Sequence, residues 1–368
     1  MVFHDISKTI NVNVLIVGTG AAGIRTAIEL QNNGISCLML SRRKHGDAHT
    51  WMAAGGINAS LGSLDPEDRW EIHAADTIRE GHFINDAKAV ETVCQNAPNA
   101  IKELQEWGCP FNLTSDGKIN QRFFGAQSFR RTCFVGDKTG KAILDTLINK
   151  AKELQLPYQE EVCIIKIVKE KGKVAGAIGI DLKSGEFILF QSPVVVLACG
   201  GYSSVFNRSS SRADENLGDA IGLAYDAGAH LMDMEMVQFH PTGMVKPDKF
   251  LGKLVTEAVR GEGGRLFNAL GERFMEKYSP DQMELDARDV VARAIKKEIM
   301  NGRGTKNKAV FLDISHQGAK YIKERLPQLY SRFKELGIDI TKEPMEVSPT
   351  SHYSMGGIEV DFHSGETA

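Results

Sequence analysis

Residues 12–34, VNVLIVGTGAAGIRTAIELQNNG, decide the fold. The opening VNVLIV is a continuous apolar, β-branched run, the pattern of a strand buried on both faces of a parallel sheet. It runs into Gly18-Thr19-Gly20-Ala21-Ala22-Gly23, then into a helical stretch from Ile24 to Asn32 that Gly34 stops. A second strand is expected over Ser36 to Leu40. The first two glycines permit a tight turn and close backbone approach, and the third lets the helix pack on the strand. The helix start then offers free N–H groups and the positive end of its dipole to a pyrophosphate. One rule is broken: the second strand should end in an acid for a ribose hydroxyl, and Ser41-Arg42-Arg43 stands there instead. An arginine suits an extra phosphate, so NADP stays open on these residues.

Outward from this start, residues 66–107 read as helices, opened by Asp65-Pro66-Glu67 and stopped by Gly108. Residues 162–198 read as a strand meander: Val162 to Val168, Val174 to Leu182, Phe187 to Phe190 and Val194 to Ala198. The last strand ends in Ala198-Cys199-Gly200-Gly201, a second place where backbone comes close to a ligand. A helix from Asp219 to Gly228 follows. Residues 233–350 mix short strands with amphipathic helices (Ala287 to Met300, Lys320 to Leu336) and read as an inserted domain. No Pro- or Ser-rich linker separates it, so the domains interleave.

Composition narrows the function classes. The 44 Lys and Arg against 47 Asp and Glu leave a formal charge of −3, without the positive excess that non-specific nucleic-acid binding needs. With 42% hydrophobic and 25% charged residues the chain has the make-up of a globular protein. No window carries the roughly 18 apolar residues of a membrane span, and MVFHDISK lacks the basic start of an export signal. Cysteines 37, 94, 109, 133, 163 and 199 form no CxxC pair. They are expected to be reduced, mostly buried thiols of a cytosolic protein, with no metal site and no spacing for an iron–sulfur cluster. Any cluster belongs on another chain.

At DAHTWMAAGG (47–56) the sequence begins to resemble the flavoprotein subunit of succinate dehydrogenase and fumarate reductase. That family carries Arg-Ser-His-Ser/Thr-x-x-Ala-x-Gly-Gly, whose histidine is bonded covalently to FAD; His49 falls on it, and Asp47-Ala48 replace Arg-Ser. The family's second strand ends in Ser-Lys without an acid, so Ser41-Arg42 becomes expected and FAD replaces NADP. Further blocks follow in order: FFGAQSFRRTCFVGDKT (123–139), ACGG (198–201), GDA (218–220), DMEMVQFHPTG (233–243), VTEAVRGEGG (255–264), GERFMEKY (271–278), ARDVVARAI (287–295) and PTSHYSMGGI (349–358).

The resemblance implies an α/β fold: a Rossmann-like FAD-binding domain (1–232) with a β-meander, an inserted α+β capping domain (233–350), and a return to the first domain over 351–368. It implies interconversion of succinate and fumarate by hydride transfer at flavin N5. Electrons would pass to or from an iron–sulfur subunit and a quinone, with membrane anchor subunits holding the assembly at the inner face of the cell membrane. FAD would be held by Gly18, Gly20, Ala21, Ala22, Gly23, Ser41, Arg42, His49, Thr50, Ala54, Gly55, Gly56, Gly200 and Asp219. His240, Thr242, Thr256 and His352 would grip the substrate carboxylates, although a threonine after proline also caps helices. Arg288 matches the family's proton carrier. A guanidinium barely deprotonates, and Glu257 and Arg260, three apart on one helical turn, would relay its proton. Asp289 reads as a helix-end or arginine-orienting acid. Gly55, Gly56, Gly200 and Gly201 would lack a Cβ because one would strike the flavin.

Three other readings remain. L-aspartate oxidase shares most blocks but lacks the histidine that His49 matches, and carries a glutamate where Phe124 stands. A soluble fumarate reductase has one chain and no iron–sulfur partner. The third is a non-catalytic flavin-binding fragment. Family members continue past PTSHYSMGG with a Gly-Glu and a Gly-Ala-Asn-Arg-Leu-Gly stretch that this chain, ending at Ala368, does not show. The expectation is a truncated chain that binds FAD poorly and turns over slowly on its own.

Overall fold

The protein is seen in a computed structural model that describes residues 6–123 and 127–367. It forms two compact units. The first comprises residues 1–200, 218–232 and 358–368, the second 201–217 and 233–357. Segment 201–217, expected with the nucleotide-binding part, thus belongs to the second unit, and the return falls at Ile358 instead of 351.

The first unit is built on a four-stranded parallel sheet in the order Val194–Leu197, Val14–Val17, Cys37–Leu40, Tyr158–Gln159. All four residues of Val14–Val17 are buried, as a central strand covered on both faces requires. Helix Ala21–Asn32 buries Gly23, Ile24, Ala27 and Ile28 against it, and with helix Thr139–Glu153 closes a core around Ile16, Met39, Leu144 and Leu147. A second sheet runs Ile6–Asn11, Phe187–Gln191, Lys173–Asp181, Val162–Glu170. The expected meander is therefore three strands long. Val194–Leu197 leaves it and pairs parallel with Val14–Val17, because a short apolar run fits either sheet equally well. The helix expected from Pro66 begins only at Trp70; residues 65–68 form a turn closed by Asp68 N–H to Asp65 O, and the region holds two helices, Trp70–Glu80 and Ala87–Glu106.

In the second unit, strands Val237–Met244, Met345–Ser354, Val310–Asp313 and Arg265–Phe267 make one antiparallel sheet. Helix Arg288–Glu298 packs its Val291, Ala294 and Ile295 into a core with Val255, Leu312 and Phe333. The helix expected over Lys320 to Leu336 is two helices, Ala319–Arg325 and Pro327–Glu335. Proline disfavours a helical conformation in the residue before it and is welcome at a helix start, so Leu326 breaks the run and Pro327 opens the second piece. Among the described residues no helix is long and apolar enough to cross a membrane.

Candidate active site

In the first unit the carboxyl ends of three adjacent strands converge, the place where open parallel sheets bind ligands. Val17 leads to Gly18, Leu40 to Ser41, and Leu197 to Ala198-Cys199-Gly200. Gly18 has φ 121°, and a Cβ there would lie 2.2 Å from Ala198 O. A Cβ on Gly23 would lie 2.0 Å from Gly18 O. These two glycines are fixed by the protein's own packing. Gly20 differs: the nearest protein atom to its Cβ would be Thr50 Oγ1, at an ordinary 3.4 Å.

The helix that starts after Gly20 has no side-chain cap from Gly20 and no acid in its first turn. Its orphan N–H groups and positive dipole end point out of the sheet edge, with the Ala21 N–H donating weakly to Thr50 Oγ1 at 3.3 Å. Thr50 belongs to the 3-10 turn His49–Met52, which packs on Gly140 so closely that a Cβ at Gly140 would reach Thr50 O. Arg42 pairs with Asp219 at 3.1 Å, where helix Asp219–Ala227 begins. A Gly20 that the protein itself leaves open and a helix start with no acid in its first turn and only one weak side-chain acceptor fit the pyrophosphate of a dinucleotide such as FAD.

Two glycines have a different reason from the expected one. A Cβ on Gly56 would meet Cys133 O at 2.7 Å, and one on Gly201 would meet Ser354 Oγ at 2.0 Å. Gly56 is thus required by a neighbouring carbonyl at φ 128°, whereas at Gly201 only the Ser354 hydroxyl would have to move. Cys199, in the same turn, has its thiol pushed up to about 12, chiefly by burial. Arg131 of the RRT segment is fully buried and held by Asp68 and Asp76, each at 2.7 Å. Phe124 lies outside the described residues.

The second unit gathers the ionisable candidates. Arg288, first residue of its helix, donates from Nε to Glu257 Oε2 at 2.9 Å and from Nη1 to Gln238 Oε1 at 2.9 Å. Arg260 lies one short helix away (Ala258–Gly261), 2% exposed, with Nη2 3.6 Å from the same Glu257 oxygen and Nη1 donating to Glu284 O at 2.7 Å. Its Nε has no hydrogen-bond partner among the described residues. Burial pulls the Arg260 guanidinium below its ordinary value; Glu257 opposes that and Arg288 adds to it. One carboxylate thus stands between two guanidiniums, one of them held in a setting that weakens its charge.

His240 is buried in its strand, and burial first, then Arg288, His352 and Arg260, hold it well below its ordinary 6.5. It is neutral at pH 7, and its Nδ1 accepts the Thr242 N–H at 3.3 Å, which leaves the proton on Nε2. The His352 ring sits edge-on to it with centroids 5.5 Å apart. Thr256 is exposed, and its Oγ1 accepts from the Ala258 N–H at 3.3 Å. Thr242 caps no helix: it lies in strand Val237–Met244, fully buried, and its hydroxyl donates to Val255 O at 2.8 Å. That bond ties the His240 strand to the segment carrying Thr256 and Glu257. Asp289 pairs with Arg293 at 2.6 Å along the helix.

Of the candidates, His240, Thr256, Glu257, Arg260, Arg288 and His352 are brought together in the second unit. Gly18 to Gly23, Ser41, Arg42, Thr50, Gly200 and Asp219 meet at the strand ends of the first. The sequence reading missed Gln238, although it lies in the same block as His240, and Glu284, whose burial and bonds to Arg273 and the Leu266 N–H anchor Arg260 from below.

Fold and cradle define a flavin-nucleotide-binding protein, and comparison with known families agrees: the profile described as FAD binding domain matches residues 13–366, and the chain belongs to that family. Within it, the chain is 43% identical over 356 residues to a fumarate reductase (CoM/CoB) subunit of Methanothermobacter marburgensis, covering 96% of this chain and 65% of that one. It is 41% identical over 362 residues to the succinate dehydrogenase flavoprotein subunit of Rickettsia bellii, covering 95% and 60%. Among solved structures, Mycobacterium smegmatis Sdh1 in complex with UQ1 superposes with TM-score 0.86 at 42% identity, over 96% of this chain and 61% of that one. A quinol-fumarate reductase with menaquinol molecules gives 0.89 at 34%, over 98% and 64%. The chain spans 60–65% of the length of these curated relatives.

Proposed function

We propose that this chain is the catalytic part of a flavoprotein that interconverts fumarate and succinate. The observation that carries the reading is Glu257 between Arg288 and Arg260, with two histidines beside them. Reduction of fumarate adds one hydride and one proton across a double bond. FAD, when bound, exchanges the hydride at N5; Gly18, Gly20, Gly23 and the helix start would hold its pyrophosphate, and Ser41, Arg42 and Asp219 its ribose side. Ala54, Gly55 and Gly200 would line it, and His49 would bind it covalently.

The chain's own residues handle charge and the proton. A dicarboxylate is a dianion, and the neutral His240 Nε2–H and the Thr256 hydroxyl offer it donors without adding fixed charge, with the His352 ring beside them. Arg288 gives its proton to the alkene carbon next to the one that takes the hydride. Loss of that proton from a guanidinium is costly in isolation. Glu257, already hydrogen-bonded to Arg288 Nε, returns one from Arg260, whose charge burial weakens, and water in turn reprotonates Arg260. In succinate oxidation the same chain runs outward.

Electrons would reach an iron–sulfur subunit and, by analogy with the quinol-fumarate reductase, a membrane quinone. The name of the Methanothermobacter relative favours a second electron partner, the CoM/CoB couple, with fumarate reduction as its direction. The test is to purify the protein from its source cells and assay fumarate, succinate and L-aspartate side by side, with co-purifying subunits identified by mass. Turnover of the first two with an iron–sulfur companion supports the reading. Oxidation of L-aspartate, or a lone active chain, overturns it in favour of an aspartate oxidase or a soluble fumarate reductase.

A further inference from the structure

Resting on the dicarboxylate reading, one serine outside every recognised block bears on substrate binding. Ser210 is 5% exposed, and its Oγ lies 2.7 Å from His352 Nδ1 across 142 residues of chain. The segment that carries it is zipped against the His352 strand. The Ser351 N–H donates to Arg208 O and the Ser210 N–H to Ser351 O, both at 2.9 Å, and Ser209 bridges Ser351 in parallel register. Arg208 holds the segment further, donating to Ser348 Oγ at 2.5 Å and to Asn307 O at 3.1 Å. Backbone pairing thus holds Ser210 beside His352, within reach of Nδ1.

A neutral imidazole with its proton on Nδ1 presents only a lone pair at Nε2, which repels a carboxylate. With Nδ1 occupied as an acceptor, Nε2 carries the proton and donates. His240 is held in that form by a backbone N–H, which can only donate. At His352 the group facing Nδ1 is a side chain, the Ser210 hydroxyl. We propose that Ser210 is a positioning residue that donates to His352 Nδ1 and so keeps that imidazole a neutral Nε2–H donor for one substrate carboxylate. The two histidines then present matched donors by two different devices, one of backbone and one of side chain.

The experiment is steady-state kinetics of the holoenzyme with fumarate and succinate, together with ¹⁵N-histidine spectra in which His352→Gln assigns the His352 signals. Ser210→Ala is expected to raise KM about tenfold with kcat little changed, the cost of one misdirected hydrogen bond to a charged ligand. The His352 nitrogens should lose the Nδ1-acceptor pattern. Ser210→Thr, which keeps the hydroxyl, should restore both, and it keeps the test alive should the alanine variant fold poorly. An unchanged KM with unchanged shifts in Ser210→Ala, or a threonine variant no better than alanine, overturns the proposal. A wild-type enzyme inactive on both acids breaks the functional reading alone, and the ¹⁵N pattern still decides what Ser210 does.

Discussion

The two units solve opposite problems. The nucleotide cradle is made of missing atoms: Gly18 and Gly23 withhold side chains so that the turn and helix can pack, and Gly20 leaves open space beside the helix start. The second unit's cluster is made of added charge, with Glu257 shared by two guanidiniums beside a pair of imidazoles. A cradle of backbone tolerates little change in shape, whereas a cluster of side chains tolerates shape changes but not changes in protonation. The contrast can be broken in order of size.

The largest effect belongs to Arg288. Arg288→Gln keeps a hydrogen-bonding side chain but removes the transferable proton, and kcat should fall about a thousandfold while dicarboxylate affinity changes far less. A fall in affinity with kcat intact would make Arg288 a binding residue only. Next comes His49: wild-type protein precipitated with acid should stay yellow, and His49→Ser should release all its flavin to the supernatant. Colour lost from the wild type would remove the covalent bond.

The glycines sharpen the comparison within the cradle. Gly18→Ala places a Cβ 2.2 Å from a carbonyl at φ 121°, and should cost on the order of 3 kcal/mol in denaturant melts of the flavin-free protein. Gly20→Ala meets nothing closer than 3.4 Å, so stability should move by less than about 0.5 kcal/mol while FAD affinity drops at least about tenfold. If Gly20→Ala destabilised as much as Gly18→Ala, the glycine would be serving the fold and not the ligand.

The smallest effect is a slope. Burial holds His240 well below its ordinary 6.5, so the unfolded chain binds a proton that the folded chain refuses. The stability this contributes is fully present above about pH 6.5 and is lost as the pH falls, by at most about 1.4 kcal/mol per unit. His240→Gln should flatten that part of the stability curve between pH 7 and 5. A slope of the same size in the variant would assign it to other groups.

How much of this could be read in advance follows the same division. The cradle was legible because GTGAAG packs turn, close approach and helix start into six consecutive residues. The partners of the second cluster stand at positions 240, 257, 260, 288 and 352, and spacing says nothing about contacts at that range; only likeness to known blocks drew them together. Ser210 lay beyond even that, since a serine in a run of serines carries no pattern, and Gln238, though inside the block of His240, was passed over because a neutral amide does not announce that it pairs with a guanidinium. Val194–Leu197 was legible as a strand but not as a member of the parallel sheet, because hydrophobicity records burial and not partner. For Thr242 the helix-capping alternative, suggested by its neighbour Pro241, fails because the residue lies in a strand and a carbonyl thirteen residues on takes its hydroxyl.

The chain passes between its two units four times, at 200/201, 217/218, 232/233 and 357/358. A ribosome emitting it would have released every residue assigned to the nucleotide by Asp219, while the imidazole of His352 would still be unmade. At roughly 5–20 residues per second that interval is on the order of ten seconds. The residues proposed to hold the flavin would therefore all exist on a nascent polypeptide before the acid-handling set does, although their unit closes only with 358–368, and Ser210 would wait, already synthesised, for the histidine it serves.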